Sequence, residues 1–260
     1  ELRNAIARRE FCLFYQPIVS LHKKGIVGFE ALIRWNHPDR GMVPPQDFID
    51  YLNSKELIHQ VGQWVIEESC QQINLWNSKL CPEDELSISI NLSIKQLLST
   101  SLLSGIKATL ERYGVRHENV TFEITEEMIM NDNHQSSSII QDLRNLGIKV
   151  FIDDFGTGYS SLSYLHKFSV DGLKIDKSFI AEIDKKSEKS IGFSVTQSIV
   201  TLAHNLGITV VAEGVENAHH LYYLAASKCD LAQGYLFAKP LPAEAASELV
   251  ESGIDWVWKV

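Results

Sequence analysis

An α/β fold, a TIM-like (β/α)8 barrel with an antiparallel first strand pair, is what this 260-residue sequence predicts. Three observations lead there. Short apolar runs alternate with helical patterns along the chain. The same helix–Gly–strand junction recurs, as Asn145-Leu146-Gly147-Ile148 and Asn205-Leu206-Gly207-Ile208, with a looser copy at Tyr113-Gly114-Val115. Eight candidate strands suit a βα barrel, which typically takes about 250 residues. A doubly wound open sheet is the alternative.

The first two strands are Leu13–Val19 and Ile26–Trp35. His22-Lys23-Lys24-Gly25 lies between them and is too short for a crossover helix, so this pair is an antiparallel hairpin. Leu86–Leu92, Val120–Thr125, Ile148–Asp153, Val170–Asp176, Ile208–Glu213 and Asp230–Phe237 follow. They are rich in Ile, Val and Phe, as expected of strands buried on both faces. Helical spacing marks Leu57–Asn77, Ile94–Tyr113, Ser136–Leu146 and Ser187–Leu206. In the last of these, Ile191, Val195, Ile199, Leu202 and Leu206 share one face. Glycine at each junction suits a left-handed helix cap. Recurrent βα units imply a mostly parallel sheet. No Pro-, Gly- or Ser-rich linker divides the sequence, which reads as one domain over 1–260.

Composition narrows the function. Hydrophobic residues make up 45% of the chain, enough for a sizeable core and too many for a disordered protein. Lys+Arg number 24 against 33 Asp+Glu, a balance of −9 that disfavours long nucleic acid and anionic membranes. Cys12, Cys70, Cys81 and Cys229 show no CxxC spacing and predict reduced thiols in a cytoplasmic domain. No apolar run reaches the length of a membrane span. The sequence opens Glu-Leu-Arg-Asn without Met, which predicts excision from a longer protein, membrane-attached or not, with an upstream regulatory domain.

In a βα barrel the chemistry sits where strands end. Gln16 lies on the first strand and Glu30 on the second. Asn91 closes the third, Glu123 stands near the end of the fourth, and Asp153-Asp154 close the fifth. Lys174 and Asp176 lie on the sixth, Glu213 closes the seventh, and Gln233 is on the eighth. Each has an ordinary reading. Glu30 could pair with Arg34, Asn91 could be a turn residue, Glu123 could face solvent, and Lys174 could pair with Asp176. Asp154 could cap a turn and Glu213 could simply end a strand. Together these readings need separate coincidences at equivalent positions.

Asp153-Asp154 is the sharpest feature. Two carboxylates about 4 Å apart repel by about 4 kcal/mol at an effective dielectric of about 20. A shared proton or a divalent cation relieves this. Hard oxygen ligands select Mg²⁺ or Mn²⁺, and the absence of His at these strand ends disfavours zinc. Two divalent ions on an acidic rim suit phosphoryl chemistry. Phe155-Gly156-Thr157-Gly158-Tyr159-Ser160-Ser161 reads as a mobile loop and not as a dinucleotide fingerprint. Asp184-Lys185-Lys186-Ser187-Glu188-Lys189 reads as a solvated helix start, and Asp255-Trp256-Val257-Trp258 as core packing.

These residues resemble a known family. Glu30-Ala31-Leu32, within Phe29-Glu30-Ala31-Leu32-Ile33-Arg34, is similar to the signature of EAL domains, the cyclic di-GMP phosphodiesterases. The likeness continues through Tyr15-Gln16-Pro17-Ile18-Val19, Asn91-Leu92-Ser93, Phe122-Glu123-Ile124-Thr125-Glu126 and Asp153 to Leu162. It runs on through Leu173-Lys174-Ile175-Asp176, Ala212-Glu213-Gly214-Val215-Glu216 and Gln233 to Leu241, covering essentially the whole chain.

The resemblance implies hydrolysis of cyclic di-GMP to linear pGpG with two Mg²⁺ or Mn²⁺ ions. Glu30, Asn91, Glu123 and Asp153 would hold one ion; Asp153, Asp154 and Glu213 the other. Lys174 would position the attacking water. Gln16, Arg34 and Gln233 would contact the dinucleotide, Arg34 through a phosphate. Glu126 would anchor the Gly156–Ser161 loop, which in the family couples the site to a homodimer, and Glu216 is a supporting candidate. The motif positions are all intact, which favours catalysis over the other reading, a silent cyclic di-GMP sensor. A barrel enzyme of enolate chemistry fits less well, because the strand ends carry no second lysine or His base.

Overall fold

The computed structural model describes residues 2–130, 134–157, 169–184 and 191–252. One ten-stranded sheet runs in the order β10-β1-β9-β8-β7-β6-β5-β4-β2-β3 and closes on itself through β1–β2. The strands are β1 (Phe11–Ser20), β2 (Gly25–His37), β3 (Gly41–Val43), β4 (Ser87–Asn91) and β5 (Val120–Thr125). β6 (Lys149–Phe155), β7 (Gly172–Ile175), β8 (Thr209–Ala212), β9 (Leu231–Ala232) and β10 (Leu241–Pro242) complete it. β2 and β4 to β9 are parallel in succession, and β1 is antiparallel to both β2 and β9. The barrel with an antiparallel first pair is therefore the fold, and the open sheet is excluded. β3 continues the β2 hairpin, and β10 lies outside the ring against Phe14 and Tyr15.

Gly114, Gly147 and Gly207 have φ of 64°, 88° and 72°, so the three helix–Gly–strand junctions use the left-handed cap read from the sequence. Helices cover the outer face of the ring, and the main core lies between helices and strands. Inside the ring the apolar content is small. Ile18, Phe151 and Val211, with Val27 and Leu231 against them, form a separate inner cluster. The strands are buried on both faces as expected, but most inward positions are polar.

Three expectations change. The predicted helix Ile94–Tyr113 is two helices, Ile94–Leu97 and Leu102–Tyr113. Leu98–Ser101 separates them, with the Ser99 and Ser101 hydroxyls bonded to each other. The eighth strand ends at Ala232. A Cβ on Gly234 would stand 2.2 Å from the Val215 nitrogen, so the chain leaves the sheet there in a turn, with Phe237 N donating to Gly234 O. Helices Ala218–Ala226 and Ala243–Glu251, absent from the sequence reading, pack after β8 and β10.

The four cysteines are free thiols. Among the described residues no helix is long and apolar enough to cross a membrane. Ser187–Ser190 of the predicted helix, the charged run from Lys185, loop residues Gly158–Ser161 and Asp255–Trp258 lie outside the described residues.

Candidate active site

Strand alternation explains how eight strands supply one rim. On β4, Ser87, Ser89 and Asn91 share the inward face; on β5, Thr121 and Glu123 do; on β6, Lys149, Phe151 and Asp153 do. The topmost inward residue on each of these three strands is then an amide or a carboxylate. Gln16 pairs in register with Glu30 across the β1–β2 hairpin, and Asn91 is in register with Glu123.

Lys174 stands at the centre, 1% exposed. Its Nζ lies 2.6 Å from Glu213, 2.7 Å from Glu123, and 3.3 Å from both Glu30 and Asp153. Asn91 Nδ2 donates to Glu30 Oε1 at 2.8 Å, and Gln233 Nε2 to Glu30 Oε2 at 2.7 Å and to Gln16 Oε1 at 2.9 Å. Gln16 Nε2 in turn donates to Ala238 O at 3.1 Å. Nine sequence-predicted residues, Gln16, Glu30, Asn91, Glu123, Asp153, Asp154, Lys174, Glu213 and Gln233, thus converge on one rim.

Electrostatics follow from this crowding. Burial opposes the charge on Lys174, but Glu123, Glu213, Glu30 and Asp153 outweigh it and hold its pKa well above the ordinary lysine value. Burial raises Glu123 well above the carboxylate range, and Glu30 and Asp153 add to it. Burial with Asp153 and Glu30 pushes Glu213 up to about 7 against the pull of Lys174. Asp154 is raised by burial and by Asp153. Glu30 is lowered: burial works against its charge, but Lys174 and the amides of Gln233 and Asn91 prevail.

The donor set fits divalent cations. Five carboxylates face one ammonium, so the rim carries uncompensated negative charge when ionised. Glu123 Oε1 is buried with no hydrogen-bond partner among the described residues, which is costly for a carboxylate oxygen and leaves it free to ligate. Asp153, Asp154 and Glu213 place oxygens within 4.8 Å of one another and could hold a metal ion. The set is all oxygen, as Mg²⁺ and Mn²⁺ prefer.

The pairing of Asp153 with Asp154 depends on a backbone irregularity. Regular alternation would send two adjacent side chains to opposite faces. The β6–β7 register shifts between Ile152 and Phe155, and Asp154 has φ of 53°. A left-handed residue at a strand end is strained for anything but Gly, Asn or Asp, and here it turns the second carboxylate toward the first.

One prediction arises directly. A carboxyl whose folded pKa is raised binds more protons folded than unfolded, so its contribution to stability falls as pH rises through the interval between the two values. For Glu213 that interval runs from 4.5 to about 7. Metal-free protein is expected to lose several degrees of Tm between pH 5 and 7.5, and Mg²⁺ or Mn²⁺ to restore them. Thermal melts in chelator and in metal check this.

Other predicted residues are placed differently. Arg34 does not pair with Glu30; its guanidinium lies 5.7 Å from the Phe14 ring centre and donates to Ile33 O at 2.8 Å, outside the Lys174 cluster. Asp176 is not the partner of Lys174 but the N-cap of helix Lys177–Ala181, accepting from Ser178 N at 3.0 Å. Glu126 Oε2 accepts from Gly156 N at 3.2 Å, while its Oε1 is buried without a partner among the described residues. Glu216 is exposed and its backbone nitrogen donates to His220 Nδ1. Tyr235 is a rim residue to which the sequence reading gave no role. It is 58% exposed, with the Lys239 ammonium 5.4 Å from its ring centre, and it acts on the charge of Arg34. The signal was available: a large aromatic directly after Gln233-Gly234, at a strand end.

Known proteins resemble this chain throughout. The family model described as "EAL domain" matches residues 1–240. The signaling protein YkoW of Bacillus subtilis is 41% identical over 96% of this chain and 30% of its own length. The cyclic di-GMP phosphodiesterase NbdA of Pseudomonas aeruginosa is 36% identical over 97% of this chain and 32% of its own. The chain thus spans about 30% of the length of these relatives, which are longer proteins. Among solved structures, the PaMucR phosphodiesterase in complex with c-di-GMP superposes with a TM-score of 0.88 at 36% identity, covering 94% of this chain and 97% of that one. Fold, rim and family model agree, and this chain belongs to the EAL domain family.

Proposed function

We propose that this chain hydrolyses one phosphodiester bond of cyclic di-GMP, giving linear pGpG, with two bound Mg²⁺ or Mn²⁺ ions. The observation that carries the reading is the unbroken ring of acids around Lys174, with an orphaned carboxylate oxygen on Glu123. Glu30, Asn91, Glu123 and Asp153 would hold one ion, and Asp153, Asp154 and Glu213 the other. Bound divalent ions supply Lewis-acid polarisation of the phosphoryl oxygens and activation of water.

The chain's own residues do the rest. Lys174 keeps its proton, since the surrounding acids hold its pKa well above the usual value. It therefore donates hydrogen bonds from Nζ, orienting the attacking water and offsetting negative charge that develops on the phosphoryl oxygens. Asn91 and Gln233 fix the Glu30 carboxylate through their amides. Gln16 and Gln233 offer amide groups to the dinucleotide, and Arg34 takes a phosphate once it swings from Phe14. Cyclic di-GMP carries two negative charges, so the bare acidic rim repels it; metal and substrate bind together. The same proposal includes one domain over 1–260, a homodimer, and a regulatory domain elsewhere in a longer cytoplasmic or membrane-attached protein.

Incubation of the purified chain with cyclic di-GMP and either metal, followed by nucleotide separation, tests this. Accumulation of pGpG is expected. Tight binding with no pGpG under either metal overturns the enzyme reading in favour of a silent sensor.

Glu126→Ala tests the loop anchor. Outer supports of a metal site are worth about 10–100-fold in activity. Loss of the Gly156 bond is expected to lower turnover by about that factor while metal titration stays unchanged. Unchanged turnover removes the anchoring role.

A further inference from the structure

We propose that the opposite, N-terminal mouth of the barrel is a second small-molecule site, which takes a small organic anion with an apolar body, such as an aromatic carboxylate. A cavity of about 520 Å³ opens there, within the usual range of about 300–1,000 Å³ for ligand pockets. Barrels of this type normally fill their interior with layers of bulky branched side chains. Here Ser87, Ser89, Thr121 and Thr209 occupy inward positions facing the space.

The lining has three chemistries. Ile18, Phe151 and Val211 form an apolar roof. Ser89 and Thr121 are each 4% exposed, yet their hydroxyls make no hydrogen bond among the described residues; they face the cavity. Hydroxyls that open onto the cavity and have no protein partner can bond a polar ligand or water there. Lys23 and Lys149 stand exposed at the mouth and have no ion pair among the described residues. Three carboxylates line the cavity beside them, and all are engaged: Asp171 with Arg144 at 2.9 Å, and Glu85 and Glu118 with the same Arg116, Glu85 at 3.3 Å. With Arg144 and Arg116 counted, four cations meet these three carboxylates, and the excess of one positive charge sets the sign of the ligand's head, while the roof sets its body.

The two mouths are close neighbours. Phe151 is in register with Glu123 and is two residues from Asp153. Its ring lies against Gly172, where an added Cβ would stand 2.6 Å from it. A single side-chain layer therefore separates this cavity from the acidic rim.

Sodium benzoate is the probe. The metal-free chain is titrated by NMR, so that no cation at the acidic rim attracts the carboxylate. Saturable shifts of the Val211 and Leu231 methyls are expected, with the neutral benzyl alcohol binding about tenfold more weakly or worse, a difference of about 1.4 kcal/mol. Ser89→Leu fills the cavity and is expected to abolish the shifts. Lys149→Glu, at an exposed position, is expected to weaken benzoate about tenfold with Tm unchanged. It keeps the test decisive if the filled variant does not fold. No saturable shift overturns the proposal, as does equal binding of benzyl alcohol or indifference to both substitutions.

Discussion

Glu30→Ala is expected to reduce the proposed hydrolysis of cyclic di-GMP by about 10²–10³-fold, the scale on which loss of one preorganised polar group acts. Glu30 is buried and takes hydrogen bonds from Asn91, Gln233 and Lys174. Alanine removes a proposed metal ligand and leaves two amides and part of an ammonium without their acceptor. Packing damage and ligand loss are separable, because Glu30→Gln keeps the shape and a carbonyl acceptor while removing the charge. If Glu30 ligates metal, both variants lose turnover and metal affinity together, and the glutamine variant retains the wild-type Tm more closely. Activity within a few-fold of wild type in either variant refutes the assignment.

Lys174→Met is expected to be the most destabilising change in the metal-free protein. It leaves Glu30, Glu123, Asp153 and Glu213 facing one another without the cation they share. Breaking a buried ion pair by removing one partner costs about 3–5 kcal/mol. In a chain of this size that is a drop on the order of 10 °C in Tm. The pH dependence has a definite sign. Without Lys174 the Glu123 and Glu213 carboxyls, already raised by burial, rise further, so the variant is more stable near pH 5 than near pH 8, more steeply than wild type. Mg²⁺ or Mn²⁺ is expected to recover much of the stability, since a divalent ion replaces the lost charge. On the proposed mechanism turnover is not recovered, because the methionine offers no donor to the attacking water. A metal-free Tm equal to wild type overturns the reading of Lys174 as the counter-charge. Undiminished turnover overturns its role at the water.

Most of the barrel was legible because its rules are local. The Gly147 and Gly207 junctions need only a few residues to specify a left-handed cap. The four-residue connection His22–Gly25 is too short for a crossover whatever surrounds it, and β1–β2 is antiparallel. Val120–Thr125 was read to the residue. The failures were also local rules, but ones overruled by packing. The helical apolar spacing runs through Ser99–Ser101, where the helix is broken, and the eighth strand stops before Gly234, which lies too close to the Val215 backbone for any side chain.

The candidate site divides the same way. The amino-acid sequence alone determined which strands end in carboxylates or amides, since period-two alternation carries that information in one dimension. The tertiary structure decided what those groups do to one another. Lys174 meets Glu30 across 144 residues of chain, and Gln233 meets Gln16 across 217. Lys174 was read beside Asp176, its neighbour on the strand; closure of the ring gives it four carboxylates instead, and Asp176 turns outward to cap a helix. The bulge at Asp154 and the space beneath Phe151 are likewise products of closure. Side-chain direction is a property of the local backbone, whereas distance, and with it every charge interaction at this rim, exists only once the sheet has met itself.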